Sequence, residues 1–266
     1  MNLVSIAQNA PGPLACARLR VAGAQVTKVE PPGGDPMLAL SPSWHAEMHR
    51  DIPIEVLDLK ADDGRERFLQ LLANADVLMT SQRPAALARL GLDPERLFAH
   101  APDLRLLRIV GSTAAPDVPG HDLTYQAATG LLGETMPRTL LADVLASERA
   151  YAGVLELLPR PAGSVLDVGL VESLDSALAP LRHGLTLPDG VLGGAAPRYR
   201  IYDTRAGRIA VGALEPHFAR ALWERLGAQR GEALDAHFLQ RTAEEWEAWA
   251  ISHDLPIVAV RERPGA

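Results

Sequence analysis

Apolar and polar positions in the first 180 residues alternate between short apolar runs and longer stretches with helical spacing. The helical stretches cover residues 12–23, which begin near Pro13, and residues 62–75, which carry acidic residues in their first turn. This rhythm predicts a parallel sheet covered by helices, with ligands at the carboxyl ends of its strands. The strands are predicted at residues 3–7, 25–30, 54–59, 76–80 and 104–110.

The pattern changes near residue 180. Residues 143–158 form the best helical pattern of the chain, and residues 183–197 are rich in Gly and Pro, which favours a linker. We therefore predict a large Rossmann-like α/β domain over residues 1–182 and a smaller α+β domain over residues 198–266. The smaller domain is predicted to contain a hairpin around the turn at 205–207, helices near 216–227, 231–240 and 242–252, and a strand near 256–260.

The amino-acid composition of the chain limits the kinds of partner that it is expected to bind. The 266 residues are 47% apolar and 22% charged, with a net charge of -7 and no basic block, so we expect neither nucleic acid nor an anionic membrane as partner. No apolar stretch reaches about 18 residues, which predicts no membrane span. The N-terminus lacks the basic start and long apolar run of a signal peptide, and Cys16 is the one cysteine. We expect a cytoplasmic protein without disulfides.

Several common catalytic motifs are missing from the sequence. There is no G-x-G-x-x-G, no P-loop and no G-x-S-x-G elbow, which disfavours dinucleotide enzymes, NTPases and α/β-hydrolases. A cysteine-based metal cluster is excluded, and from the histidine spacing we expect no metal-ligand pair. We therefore predict no metal centre.

Three residues are candidates for proton chemistry. His121 follows a Pro-Gly turn in VPGHDLTYQAATG, Asp143 lies at the start of the strongest helix, and Glu215 lies at a strand-to-helix junction. An imidazole can accept a proton at neutral pH, but the residue taken alone is better explained as a solvated turn histidine. A helix start stabilises a carboxylate on its own, so Asp143 and Glu215 also have structural explanations. The N–H groups at the start of the Asp143 helix could alternatively steady an enolate oxygen.

A set of segments in fixed order resembles the family III CoA-transferases, which include the α-methylacyl-CoA racemases. The set covers nearly the whole chain, and each block alone is weak. It consists of APGPLACARLRVAGAQVTKVEPPGGDP, VLDLKADDGRERFLQLLANADVL, RPAALARLGLDPERL, GHDLTYQAATGLL, LLADV, GGAAPRYRIYDTRAGRIAVGALEPHF and RTAEEWEAW.

The resemblance implies the family's fold and a homodimer whose active site is shared between the large domain of one subunit and the small domain of the other. In racemases, the positions of His121 and Asp143 carry the two acid/base groups, and the position of Glu215 supports the histidine from the partner subunit. In transferases, the position of Asp143 is the nucleophile. Asp122 is expected to orient the ring, contact ligand or cap the following helix.

The resemblance also implies an acyl-CoA substrate, with coenzyme A entering as part of the substrate and no prosthetic group. Lys60, expected at the end of a strand, and Arg83 match positions that face the nucleotide part of CoA. Arg50 is the basic residue left in a segment where Ile52 and Pro53 replace the family's usual Lys-Arg. On this resemblance the chain is a member shortened at its C-terminus, in which two subunits do not interlock in the usual way.

Three hypotheses follow. The first is racemisation or epimerisation at the α-carbon of a 2-methylacyl-CoA by His121 and Asp143. The second is CoA transfer between carboxylic acids through an acyl-aspartyl intermediate at Asp143. The third is a catalytically reduced CoA-binding or scaffold member. His121 separates the first two, because the transferase needs Asp143 and does not need the histidine.

Overall fold

A computed structural model describes residues 1–262, whose contacts divide them into two compact units, with the second beginning at Ala177. The first unit is built on a six-stranded parallel sheet in the order β3-β2-β1-β4-β5-β6, as the alternating pattern predicts. Its strands are β1 (Asn2–Ser5), β2 (Gln25–Glu30), β3 (Ile54–Val56), β4 (Val77–Thr80), β5 (Arg105–Val110) and β6 (Val165–Gly169).

Helices connect these parallel strands, as a parallel sheet requires, and two more helices follow the last strand. Most of them are short. They are α1 (Pro11–Val21), α2 (Pro36–Leu40), α3 (Pro42–Met48), α4 (Asp62–Leu72), α5 (Pro84–Arg89), α6 (Pro94–His100), α7 (Asp122–Ala128), α8 (Leu141–Leu157), α9 (Leu170–Ser173) and α10 (Asp175–Arg182), the last of which crosses into the second unit.

Most of the buried residues of α8 are small. Ala142, Ala146 and Ala150 are fully buried, and α8 packs directly on α1. Small side chains let two helices approach closely, so α8 is held firmly along its length. Its N-terminus, which carries Asp143, is thereby fixed relative to the sheet.

The strand order changes direction at β1. The chain builds β2 and β3 on one side of β1 and then returns to build β4, β5 and β6 on the other. Such a switch point opens a crevice at the carboxyl ends of the central strands, where open α/β sheets bind ligands. The segments after β1, β4 and β5 are therefore the expected lining of a site.

Three sequence-based assignments are wrong in detail. The third strand ends at Val56, because the Asp58 carboxylate accepts the Lys60 N–H at 3.0 Å and turns the chain before α4. Lys60 therefore lies in a turn and not at the end of a strand. Strand β6 was not predicted, because Asp167 interrupts its apolar run. In the fold, the Asp167 carboxylate accepts two hydrogen bonds from the Arg108 guanidinium on β5, at 2.7 and 2.8 Å.

The second unit contains a three-stranded antiparallel sheet in the order β7-β8-β9, whose first two strands form the predicted hairpin. The helix expected over 231–240 is wrong in length and forms one turn only. Trp223, Phe238 and Trp246 centre the core of this unit. Its elements are β7 (Tyr199–Asp203), β8 (Arg208–Gly212), α11 (Pro216–Leu226), α12 (Asp235–Phe238), α13 (Ala243–Ser252) and β9 (Ile257–Ala259). The domain boundaries drawn from the sequence stay a prediction.

Candidate active site

A cleft of about 360 Å³ opens at the switch point of the parallel sheet. The residues after β1, β4 and β5 line it, together with the loop that leads into α7 and the first turn of α8. Its polar lining residues are Gln8, Asn9, Ser81, Arg83, His121, Thr124, Tyr125 and Asp143. The structure therefore brings His121, Asp143 and Arg83 into one cleft.

His121 is the N-cap residue of α7, and its side chain is exposed. The Thr124 hydroxyl accepts the His121 N–H at 3.0 Å, and the His121 carbonyl accepts the Thr124 N–H at 2.8 Å. These bonds use the backbone of His121 and not its ring. The imidazole is therefore available to a molecule in the cleft.

Asp122 does not cap the helix that follows it. Its Oδ1 accepts the backbone N–H groups of Ala142 at 2.7 Å and Asp143 at 3.2 Å, so it caps α8, 20 residues away. Its Oδ2 accepts the Gln126 amide at 2.6 Å, and the residue is 4% exposed. A direct contact between Asp122 and CoA stays a prediction. These bonds also occupy the N–H groups of Ala142 and Asp143, two of the donors expected to steady an enolate oxygen at the start of α8.

The Asp143 carboxyl group is held in an unusual environment for an acid. Burial, followed by the negative charge of Asp122, raises the pKa of Asp143 from 3.8 to about 7. Both effects disfavour the carboxylate form. Near neutral pH, Asp143 therefore exists as a mixture of protonated acid and carboxylate.

Tyr125 is a cleft residue that the sequence reasoning passed over. A Cβ at Gly120 would lie 2.5 Å from the Tyr125 ring, and a Cβ at Gly111 would overlap its hydroxyl. Burial, followed by the charge of Asp143, raises the pKa of Tyr125, so its hydroxyl keeps its proton at neutral pH. The two glycines in VGS and PGH were the available signal, since both make room for the ring.

Two of the other predicted site residues lie in the same unit, outside the cleft. Lys60 is exposed and lines a second cavity of about 130 Å³, which shares Gln8 with the cleft. Arg50 is exposed in the turn after α3 and lines neither cavity. Glu215 is the exposed N-cap residue of α11 in the second unit. The roles proposed for all three stay predictions.

A buried cluster of charged and titratable residues contradicts our reading of the histidine spacing. His45 and His49 are four residues apart on α3 and the residue after it, and both are 6% exposed. The His45 Nε2 lies 2.9 Å from Glu30 Oε1 at the end of β2. One potential ligand atom from each of the three residues falls within 4.8 Å of the others. The spacing of two histidines at i and i+4 was visible in the sequence and was missed.

Comparison with known proteins identifies the family. The model of the CoA-transferase family III matches residues 1–265 of this chain. The chain belongs to this family, which confirms the resemblance drawn from its ordered segments. Among residues 1–262, no helix is both long and apolar enough to cross a membrane.

Two curated relatives carry different activities in their names. The chain is 32% identical to the α-methylacyl-CoA racemase of Mus musculus over 87% of its own length and 65% of the racemase. It is also 32% identical to the cinnamoyl-CoA:phenyllactate CoA-transferase of Clostridium sporogenes, over 51% of its own length and 36% of the transferase. The chain thus spans less than two thirds of either relative, and one of the two is named as a racemase and the other as a CoA-transferase.

A solved structure shows the same fold. A crystal structure of a Mycobacterium tuberculosis protein superimposes with a TM-score of 0.83 at 21% identity, covering 98% of this chain and 81% of the other. This similarity confirms the predicted family III fold.

Proposed function

We propose that this protein acts on acyl-CoA thioesters and moves a proton at the α-carbon of a 2-methylacyl-CoA, with His121 and Asp143 as the acid/base pair. The observation that carries the proposal is the raised pKa of Asp143, about 7, in a cleft shared with an exposed imidazole. Inversion needs one group that accepts a proton and one that donates a proton on the opposite face. A carboxyl group that can hold or lose its proton near pH 7, in one cleft with an imidazole, meets that need without a metal or a prosthetic group.

The reaction begins when one member of the pair removes the α-proton and the electrons of the broken C–H bond move toward the thioester oxygen. The other member then donates a proton to the opposite face of the α-carbon as the carbonyl reforms. The developing negative charge on oxygen needs a hydrogen-bond donor. The Tyr125 hydroxyl, which stays protonated in the cleft, is our candidate for this donor.

The CoA part of the substrate needs positive charge outside the reacting centre. Arg83 lines the cleft at the carboxyl side of β4, and Lys60 lines the neighbouring cavity. We assign both to the phosphates of CoA, because guanidinium and ammonium groups pair with phosphate oxygens. Arg50, which is exposed on the turn after α3, is a further contact in this proposal.

The second candidate is CoA transfer with Asp143 as nucleophile, which the transferase relative favours. This reaction requires the carboxylate form of Asp143 to attack the thioester carbon and release CoA as a thiolate. The raised pKa of Asp143 reduces the carboxylate fraction at neutral pH and is better suited to an acid/base group. For this reason we place proton transfer first.

The variant His121→Ala separates the two reactions. Purified wild-type and His121→Ala protein are each assayed for α-proton exchange and for CoA transfer to a carboxylic acid acceptor. Proton transfer by His121 predicts exchange in the wild type and a loss of about 100-fold or more in the variant. Transfer that survives in the variant, with an acyl group trapped on Asp143, would instead establish the transferase. An absence of both activities in the wild type would favour the third hypothesis, a CoA-binding member without turnover.

A further inference from the structure

The cluster formed by Glu30, His45 and His49 is built like a metal site. We propose that it binds one divalent transition-metal ion of the zinc class through the Glu30 carboxylate and the two imidazoles. This inference is independent of the proposed function, because none of the three residues lines the cleft of His121 and Asp143.

The orientation of the His49 imidazole gives the strongest support for a metal site. Its Nδ1 lies 2.8 Å from the carbonyl oxygen of His45, so Nδ1 carries the hydrogen and donates it. In a neutral ring, the lone pair is then on Nε2. This Nε2 is buried and has no hydrogen-bond partner. A histidine whose far nitrogen is oriented by a backbone carbonyl is the usual form of a metal-binding imidazole.

The other two ligand atoms are already in contact with each other. His45 Nε2 and Glu30 Oε1 are 2.9 Å apart, and one proton lies between them. An ion that binds both atoms replaces this proton, which moves to Nδ1 of His45 or leaves to solvent. The second oxygen of Glu30 accepts the Asp35 N–H at 3.3 Å, which orients the carboxylate from outside the cluster.

The distances suit a tetrahedral ion after small rearrangements. Ligand atoms at about 2.1 Å from such an ion lie about 3.4 Å apart. One ligand atom from each of the three residues lies within 4.8 Å of the others, so the shift required is of the size of a side-chain rotation. Two imidazoles and one carboxylate form a ligand set that zinc uses in proteins, with a fourth position left for water.

The nearby lysine does not cancel the negative charge needed for a cation. Lys28 is 1% exposed and lies 3.1 Å from Asp35 Oδ2, so this pair is neutral as a whole. The charge of Glu30 remains for the metal. Glu30 also lines the 130 Å³ cavity beside Lys60, so the cluster borders a cavity on the Glu30 side.

The test measures the binding of Zn²⁺ alone to protein that has been stripped with a chelator. Equilibrium dialysis with metal analysis gives the stoichiometry, and Co²⁺ gives a visible spectrum that reports tetrahedral coordination. We expect one equivalent of Zn²⁺ per chain and a tetrahedral Co²⁺ spectrum. We expect His49→Gln to bind Zn²⁺ at least about 100-fold more weakly, since one of three ligands is lost.

His100→Gln is the matched control, because His100 is exposed on α6, outside the cluster. It should bind Zn²⁺ as the wild type does. His121→Ala is a second control, and it excludes the imidazole of the cleft as the ligand. Wild-type protein that binds no Zn²⁺ overturns the proposal, whether or not the variants fold. Binding that is unchanged in His49→Gln overturns it as well.

Discussion

At the scale of single residues, the main feature is a carboxyl group kept partly protonated at the cost of stability. The folded protein favours protonated Asp143 between pH 3.8 and about 7, where the unfolded chain has already lost the proton. The folded state therefore binds more protons than the unfolded state, and stability falls as pH rises through this window. Functional sites commonly contain groups whose placement lowers the stability of the folded protein.

We predict that Asp143→Asn stabilises the protein at pH 8 and has little effect at pH 4. The amide carries no charge to desolvate and does not repel Asp122. The expected gain at pH 8 is on the order of 2 kcal/mol, after allowing for the partial exposure of the group. Thermal or denaturant unfolding at both pH values measures it, with Asp103→Asn at an exposed turn as control. A variant that is no more stable than the wild type at pH 8 would show that Asp143 has an ordinary pKa.

Tyr125 gives a second prediction at this scale. If its hydroxyl donates to the thioester oxygen, Tyr125→Phe should lower kcat for proton exchange about 10- to 100-fold. KM should change much less, because the contact strengthens as charge develops. Tyr151→Phe is the matched control, because Tyr151 does not line the cleft. Its ring packs against Arg18, whose Cζ lies 4.5 Å from the ring centroid. Equal kinetics for Tyr125→Phe and the wild type would remove Tyr125 from the mechanism.

At the scale of elements, the start of α8 depends on a residue from α7. Asp122 caps α8 through two backbone N–H groups and so joins the two helices that carry His121 and Asp143. Asp122 and the start of α8 are about 20 residues apart in sequence, and this cap explains how the His121 and Asp143 motifs come together in one cleft.

We predict that Asp122→Ala lowers stability by about 1–2 kcal/mol, because it leaves the N–H groups of Ala142 and Asp143 without their acceptor. Asp122→Asn should restore most of the loss, since its amide oxygen can accept the same bonds. It should also move the pH dependence of the reaction to lower pH, because removal of the Asp122 charge lowers the pKa of Asp143. Urea unfolding and pH–rate profiles test the two effects separately, and equal stability of Asp122→Ala and wild type would contradict the capping role.

The elements also show what the sequence could and could not predict. The six parallel strands follow from local apolar runs, apart from β6, whose central Asp167 is satisfied by Arg108 on another strand. Ion pairs across strands are invisible to a reading of one segment at a time. The positions of His121 and Asp143 could be predicted from their motifs. The raised pKa of Asp143 could not, because it depends on burial and on Asp122, which only the folded chain brings near.

At the scale of the whole molecule, we expect a second subunit to complete the proposed site. Glu215 belongs to the second unit, and the family resemblance implies that it reaches the histidine of a partner chain. We predict a homodimer, which light scattering on a sizing column measures. A monomer with full activity would contradict the shared site.

A mixed dimer tests the sharing of the site directly. His121→Ala and Glu215→Gln are each expected to be weakly active. A mixed dimer of the two variants contains one site with both native residues, so co-expression should recover about a quarter of the wild-type activity if subunits pair at random. Recovery depends on dimer formation through the functional site. Mixtures that stay as inactive as the separate variants would show that His121 of one subunit does not act together with Glu215 of the other.

The most direct test of the central claim is deuterium uptake at the α-carbon of a 2-methylacyl-CoA in heavy water. Purified wild-type protein is incubated with each substrate epimer, and the mass and configuration of the recovered thioester are measured. Proton transfer by His121 and Asp143 predicts a gain of one mass unit in each molecule that has reacted, because its α-carbon carries a single hydrogen. It also predicts the same mixture of epimers from either starting compound. Recovery of unlabelled substrate with its original configuration, from protein that binds the thioester, would contradict it.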